Sequence, residues 1–320
     1  MSIHLKNGGD TRSLTFIETV ERIMNIFFIP LTQICAFAIV GILLWMTFVV
    51  GTQALPAISQ FGLGFLSATN WDPVRDEFGA FPQLYGTIVS SIIALLFAVP
   101  VGLGVALFLS EDFLPPKLRV ILAFLVELLA AIPSVVYGLW GLAVIVPLFK
   151  VVGNWLYSTF GWLPFFSTPP SATGLGMFPA GLVLAIMVLP TIAAISRDAL
   201  ISLPPDLRQA AVGLGATRWE TIIQVLVPAA FSGIVGAVML ALGRALGETM
   251  AVTLLIGNSN QVNSSILTPA STVASLLANQ FAEAGGLQVS ALMYASLVLF
   301  ALTLLVNILA ELLVRRVQRI

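Results

Sequence analysis

Residues Leu203–Pro228 read LPPDLRQAAVGLGATRWETIIQVLVP. The stretch separates two long apolar runs and carries its own helix grammar. Pro204 and Pro205 suit a helix start, because the first helical N–H has no partner to lose. Asp206 falls in the first turn, where the helix dipole favours an acid. Leu207, Ala210, Ala211 and Leu214 then follow i, i+3, i+4, i+7 spacing and make one apolar stripe. Gly213 and Gly215 end that helix. Thr217-x-x-Glu220 is a capping box that opens another, and Pro228 marks a boundary or kink into the next apolar run. The stretch predicts two short helices joined at glycines. Such a pair is either an amphipathic hairpin at an interface or a docking element for a soluble partner.

The sequence around it is that of a membrane protein. Hydrophobic residues make up 58% of the 320 and charged residues only 9%, where a soluble domain carries about 25%. Mean hydropathy is +1.03. One cysteine excludes a disulfide scaffold, and long unbroken apolar runs exclude a membrane barrel. Cys35 and His4 have no company for a metal site, so both read as functionally silent. Residues 1–22 mix acids and bases, and the apolar run behind them is far longer than a signal-peptide core. They read as a cytoplasmic tail before an uncleaved first span.

Six runs are long enough to cross a hydrocarbon core: Ile23–Gly51, Leu84–Ser110, Val120–Phe149, Gly174–Ser196, Pro228–Gly257 and Leu287–Val314. The expected fold is all-α and polytopic, with residues 23–320 as one transmembrane domain. With the N-terminus inside, the inner segments hold Lys6, Arg12, Arg22, Lys117, Arg119, Arg197, Arg208, Arg218, Arg315, Arg316 and Arg319. Only Arg75 and Lys150 fall outside, a strong positive-inside signal that places both termini in the cytoplasm. The outer segment 52–83 carries Trp71-Asp72-Pro73. The outer segment 150–173 is rich in Trp, Tyr and Pro and reads as interfacial anchoring, with docking of an external partner as the alternative.

Charges inside the apolar runs are the candidate functional residues, since intramembrane ionisable groups usually face a bundle interior or a pathway. Arg244 and Glu248 sit in the fifth run, and their i, i+4 spacing predicts one shared helix face. They form either a structural pair or a site where Arg244 offers a fixed charge and forked donors to a passing anion. Glu248 would then hold the arginine or weaken its grip. Glu127, in the third run, either reaches the interface or contacts another helix. Pro133, Ser134 and Gly138, in IPSVVYG, suggest a bent or broken helix lining a cavity. Glu311 falls at the headgroups.

The loop resembles the signature of binding-protein-dependent ABC importer permeases, EAA-x3-G-x9-I-x-L-P. Here it reads Gln209-Ala210-Ala211, Gly215, then Val225, Leu226, Val227 and Pro228 at matched spacing. Gln replaces the leading Glu and valines replace the Ile and Leu. ALGRALGETMAV around Arg244, WDP with FGAFP, FLSE and ELLAAIPSVVYG are similar to the phosphate-importer branch of that family, on the side of its PstC type. The paired PstA type shares IPS and GRA-GET but typically lacks the MAV ending and the WDP loop.

The resemblance implies a type I importer fold and a subunit of a larger assembly. The partners would be a second, PstA-like permease, a PstB-like ATPase dimer and an external PstS-like phosphate-binding protein. Gln209, Ala210, Ala211, Gly215 and Pro228 would belong to the coupling helix that docks the ATPase, and phosphate would be the cargo. None of the three lysines sits in G-x-x-x-x-G-K-[ST], so ATP and Mg would be bound by the partner. The chain is expected to hold no catalytic residue, cofactor or metal, and to bind no nucleic acid. It would lie in a bacterial inner membrane. A permease for another anion, the paired permease type, a secondary transporter and a membrane anchor are the alternatives. The last two leave the coupling loop unexplained, and no inverted repeat of the secondary-transporter kind is visible.

Overall fold

A computed structural model describes residues 10–317, with side chains over 28–316 apart from that of residue 313. The expectations for the polar N-terminal tail and for Arg319 lie outside the described residues and side chains. The chain is helical nearly throughout. Helix α1 (Asp10–Phe61) runs into a 3₁₀ turn (Gly62–Leu66) and a two-residue hairpin, β1 (Trp71–Asp72) with β2 (Glu77–Phe78). Then come α2 (Phe81–Ser110), α3 (Pro116–Ala130), α4 (Ser134–Trp140), α5 (Val146–Phe160) and α6 (Met177–Ile201). The loop region holds α7 (Pro205–Gly213), α8 (Arg218–Glu220) and α9 (Val227–Ala229). The chain closes with α10 (Phe231–Gly247), α11 (Met250–Leu255), α12 (Val273–Gln280) and α13 (Leu287–Val317). Two π-helical turns, Gly141–Ile145 and Thr221–Leu226, join α4 to α5 and α8 to α9.

Among the described residues, five helices are long and apolar enough to cross a membrane: Phe28–Leu66, Phe81–Ser110, Ser134–Phe160, Met177–Ile201 and Leu287–Arg316. The pair Arg218–Ala229 and Phe231–Gly247, bent by 69°, makes a sixth crossing when the two helices are counted as one span. The protein is an all-α, polytopic membrane protein.

Residues Met1–Thr52 form one compact unit and Gln53–Ile320 a second. The described part of the first is a single helix with Phe37, Leu44 and Trp45 exposed. Its Thr32 and Thr47 hydroxyls donate to the carbonyls of Ile29 and Leu43, both at 2.8 Å. Those two hydroxyls are thus satisfied within the helix, as a lipid setting favours.

In the second unit α6 is the axis, buried along most of its length, and α2 lies against it through small residues. A Cβ on Gly181 would stand 2.6 Å from Ile93 Cγ2, and one on Gly102 would stand 2.9 Å from Ile192 Cγ2. Glycine is what permits that approach. A second core anchors the hairpin: Phe65 stacks on Tyr294 at 4.5 Å, and Trp71 Nε1 donates to Gln280 Oε1 at 2.8 Å.

Three expectations need correction. The third run is not one helix across Val120–Phe149. It breaks at Ala131–Pro133, and the crossing is Ser134–Phe160. Pro133 has no N–H to donate and forces the residue before it out of helical conformation. The Tyr137 hydroxyl donates to the Leu129 carbonyl at 2.9 Å and ties the two sides of the break. Residues 150–160 are therefore helix, and Lys150, Trp155 and Tyr157 stand on α5 instead of an outer loop.

Gly138 is not a break. It is buried inside α4, where an added Cβ would meet Leu254 Cδ1 at 2.7 Å and Ala251 Cα at 3.1 Å, so it is the point where α11 packs. The fifth run is broken twice, at Ala230 and at Glu248–Thr249, and helix ends at Leu255. The second, fourth and sixth runs keep their expected positions to within a few residues.

Candidate substrate cleft and coupling loop

Arg244 stands in the last turn of α10. The helix stops at Gly247, and Glu248 is extended, with φ −66° and ψ 124°. The expected shared face fails here, because i, i+4 neighbours meet only on a continuous helix. Glu248 Oε1 accepts instead from the Ala251 N–H at 3.4 Å, at the start of α11. Among the described residues, no carboxylate lies within ion-pair distance of Arg244.

Arg244 lines a cleft of about 640 Å³ between α6, α10 and α13. Thr191 and Asn307 add polar groups, Met239 and Leu240 an apolar wall, and Gly243 an open stretch where a Cβ would meet nothing within 4 Å. An apolar cavity with few convergent polar groups is the usual form of a small-ligand site. Neither Thr191 nor Asn307 was singled out from sequence. Asn307 carries a signal there, as an amide inside the long apolar run 287–314.

Glu127 lies on α3 and pairs with Arg197 of α6 at 3.6 Å, which makes it an interhelical contact. Pro133 is exposed and Ser134 half-buried, at the mouth of α4. These residues and Gly138 do not line the Arg244 cleft.

The coupling loop folds by the rules its sequence announces. Helix α7 starts at Pro205 with Asp206 in its first turn. At its end the Leu214, Gly215 and Ala216 N–H groups donate to the carbonyls of Ala210, Val212 and Ala211 at 3.0, 2.9 and 3.1 Å. Gly215 takes φ +88°, a left-handed conformation that glycine adopts without a Cβ penalty. The capping box is complete: Glu220 N–H donates to Thr217 Oγ1 at 3.4 Å, and Thr217 N–H donates to Glu220 Oε2 at 2.7 Å. One feature differs. The apolar stripe is not covered within this chain, since only Ala211 is buried, while Leu214 is 91% and Trp219 60% exposed. Gln209 and Ala210 are exposed as well, and exposed Pro228 precedes the 69° corner.

A bent, broken-helix bundle with a capped two-helix loop and a largely apolar cleft bordered by one arginine is the membrane component of a transporter. The chain belongs to the family of binding-protein-dependent transport system inner membrane components, whose model matches residues 98–319. Within that family it is similar to the phosphate transport system permease protein PstC of Haemophilus influenzae, 46% identical over 95% of both chains. It is likewise 46% identical to PstC of Pasteurella multocida over 82% of this chain and 83% of that one. The probable PstC of Methanocaldococcus jannaschii is 38% identical, covering 80% and 82%.

Solved structures share the fold. A bacterial ABC transporter involved in import of the acidic polysaccharide alginate aligns with TM-score 0.58 at 17% identity, covering 93% of this chain and 99% of that one. The inward-facing MetNI methionine ABC transporter aligns with TM-score 0.52 at 21% identity, covering 76% and 95%. The fold is that of a type I ABC importer permease.

Proposed function

We propose that this chain is the PstC-type permease subunit of an ATP-driven phosphate importer and forms half of its translocation pathway. The observation that carries this reading is the 46% identity to a PstC protein across 95% of both chains. The cleft supports it. Arg244 presents a fixed charge and a planar fork of donors, with the Thr191 hydroxyl and Asn307 amide beside it. A tetrahedral oxyanion entering there trades water for charge-assisted hydrogen bonds. Glu248 accepts from the Ala251 N–H and does not line the cleft, so the anion site in this reading is Arg244 with Thr191 and Asn307.

Transport of this kind needs a motor, and Gln209, Ala210, Ala211, Gly215 and Pro228 form the loop that docks it. Exposed Leu214 and Trp219 are the apolar anchors for that contact. The motor is a separate ATPase dimer that binds ATP and Mg. A second permease completes the pathway, and an external binding protein delivers phosphate. Residues 23–320 act as the transmembrane domain in the bacterial inner membrane, with both termini cytoplasmic.

The test is uptake of labelled phosphate by cells carrying Arg244→Gln, together with co-purification in mild detergent. Uptake should fall about 100-fold or more, the scale of removing one preorganised charged donor. The ATPase and second permease should still co-purify. Retained uptake would take Arg244 out of the pathway, and absence of an ATPase from the wild-type pull-down would overturn the importer reading.

A further inference from the structure

The turn that follows α2 has no part in the cleft, yet both halves of the coupling loop hold it. Glu111 directly follows the last residue of α2, and its side chain is only 5% exposed. Arg208, from α7, reaches it across 97 residues of sequence and donates Nη2 to Glu111 Oε1 at 2.5 Å. Two residues further on, the Arg218 guanidinium lies 4.2 Å over the Phe113 ring, and the Trp219 ring stands 5.7 Å from it. On the other side Phe113 stacks with Phe108 of α2 at 5.9 Å. It also packs on the core formed by Ala106, Leu200, Ile222 and Leu226. Asp112, between them, is exposed and bound to Arg119 of α3.

A carboxylate this buried is costly to leave without its partner, so the pair resists opening. With α7 attached through Arg208, and α8 through Arg218 and Trp219, the turn is gripped at two points. Displacement of the loop is then passed to the end of α2, the helix that lies along α6.

We infer that Glu111, Phe113, Arg208 and Arg218 form a joint that transmits movement of the coupling loop to α2. Glu111 and Arg208 act as positioning residues for ATP-coupled transport. The inference rests on the reading that residues 203–228 dock an ATPase.

The test uses the whole complex, reconstituted in liposomes with the external binding protein. It reads phosphate imported per ATP hydrolysed, a ratio that mere loss of folded complex leaves unchanged. Glu111→Gln and Arg208→Gln should each lower that ratio by about fivefold or more, the lower end of typical coupling between sites. The paired conservative change Glu111→Asp with Arg208→Lys should recover part of it. Arg218→Gln, which leaves the buried pair intact, should lower the ratio by a smaller factor. It keeps the test alive if the buried variants do not assemble. A wild-type ratio in Arg218→Gln and in every Glu111 or Arg208 variant that assembles would overturn the joint. Absence of ATP-driven phosphate uptake by the wild-type complex would instead overturn the importer reading.

Discussion

Arg208 and Arg244 are two arginines of one helical membrane protein with opposite surroundings. Arg208 is paired: its side chain is 39% exposed, but its guanidinium meets a Glu111 side chain that is only 5% exposed. Arg244 is open: it borders a cleft of about 640 Å³, and among the described residues no acid engages it. That pair loses heavily if Arg208 goes, because the buried Glu111 carboxylate is left uncompensated. A cation facing a cleft loses little, since its alternative partner is water or a mobile anion. The difference separates a charge that holds the molecule's shape from one available to a ligand.

Stability measurements can break that contrast. Arg208→Ala should destabilise the protein by about 3 kcal/mol, the usual cost of stranding a buried charge, because it leaves the 5%-exposed Glu111 side chain without its partner. Arg244→Ala should stay within roughly 0.5 kcal/mol of wild type. Thermal unfolding of the detergent-solubilised protein reads both, and equal losses would mean that Arg244 is structural too.

A middle-sized effect sharpens the loop side. Gly215→Ala should cost about 1 kcal/mol from its left-handed backbone alone, because a Cβ there meets nothing within 4 Å. A cost near zero in the same assay would show that the loop relaxes to another turn.

The smallest effect is at Asp112, the exposed neighbour of Glu111. The hydrogen bond from Arg119, with its charge, holds the Asp112 carboxyl below the usual carboxylate range. A depressed acid contributes stability above its unfolded pKa of about 3.9, and that stability is lost as pH falls through the folded value. Asp112→Asn should therefore change stability by less than about 1 kcal/mol at neutral pH, as exposed pairs do, and flatten the acid limb below pH ~4. A neutral-pH loss as large as that of Arg208→Ala would erase the distinction between the exposed and the buried pair.

The parts legible from sequence were those set by local rules. The second, fourth and sixth span positions follow from apolar length, and the capping box and Gly215 turn follow from residue chemistry within a few positions. Arg244 stood out as a charge in an apolar run. What escaped depends on distant contacts. Nothing within LGET forces α10 to end at Gly247; the break is filled by Glu248 accepting from Ala251, while α11 is drawn against Gly138 of α4. Pro133 announced a bend, but Gly138 mimicked one when it was a packing contact. Glu111 with Arg208 and Thr191 with Asn307 are brought together only by the bundle, and no spacing rule joins residues so far apart in sequence.

The corner at Ala230 gives the fifth crossing the form of a lever. One arm, Arg218–Ala229, is 12 residues long, or about 18 Å at helical rise. Along the other arm, Arg244 lies 13 residues beyond Phe231, about 20 Å away. Arms of nearly equal length neither amplify nor damp. If they turn rigidly about the corner, a shift of roughly 2 Å at Trp219 appears as a shift of similar size at Arg244, redirected by the bend of 69°.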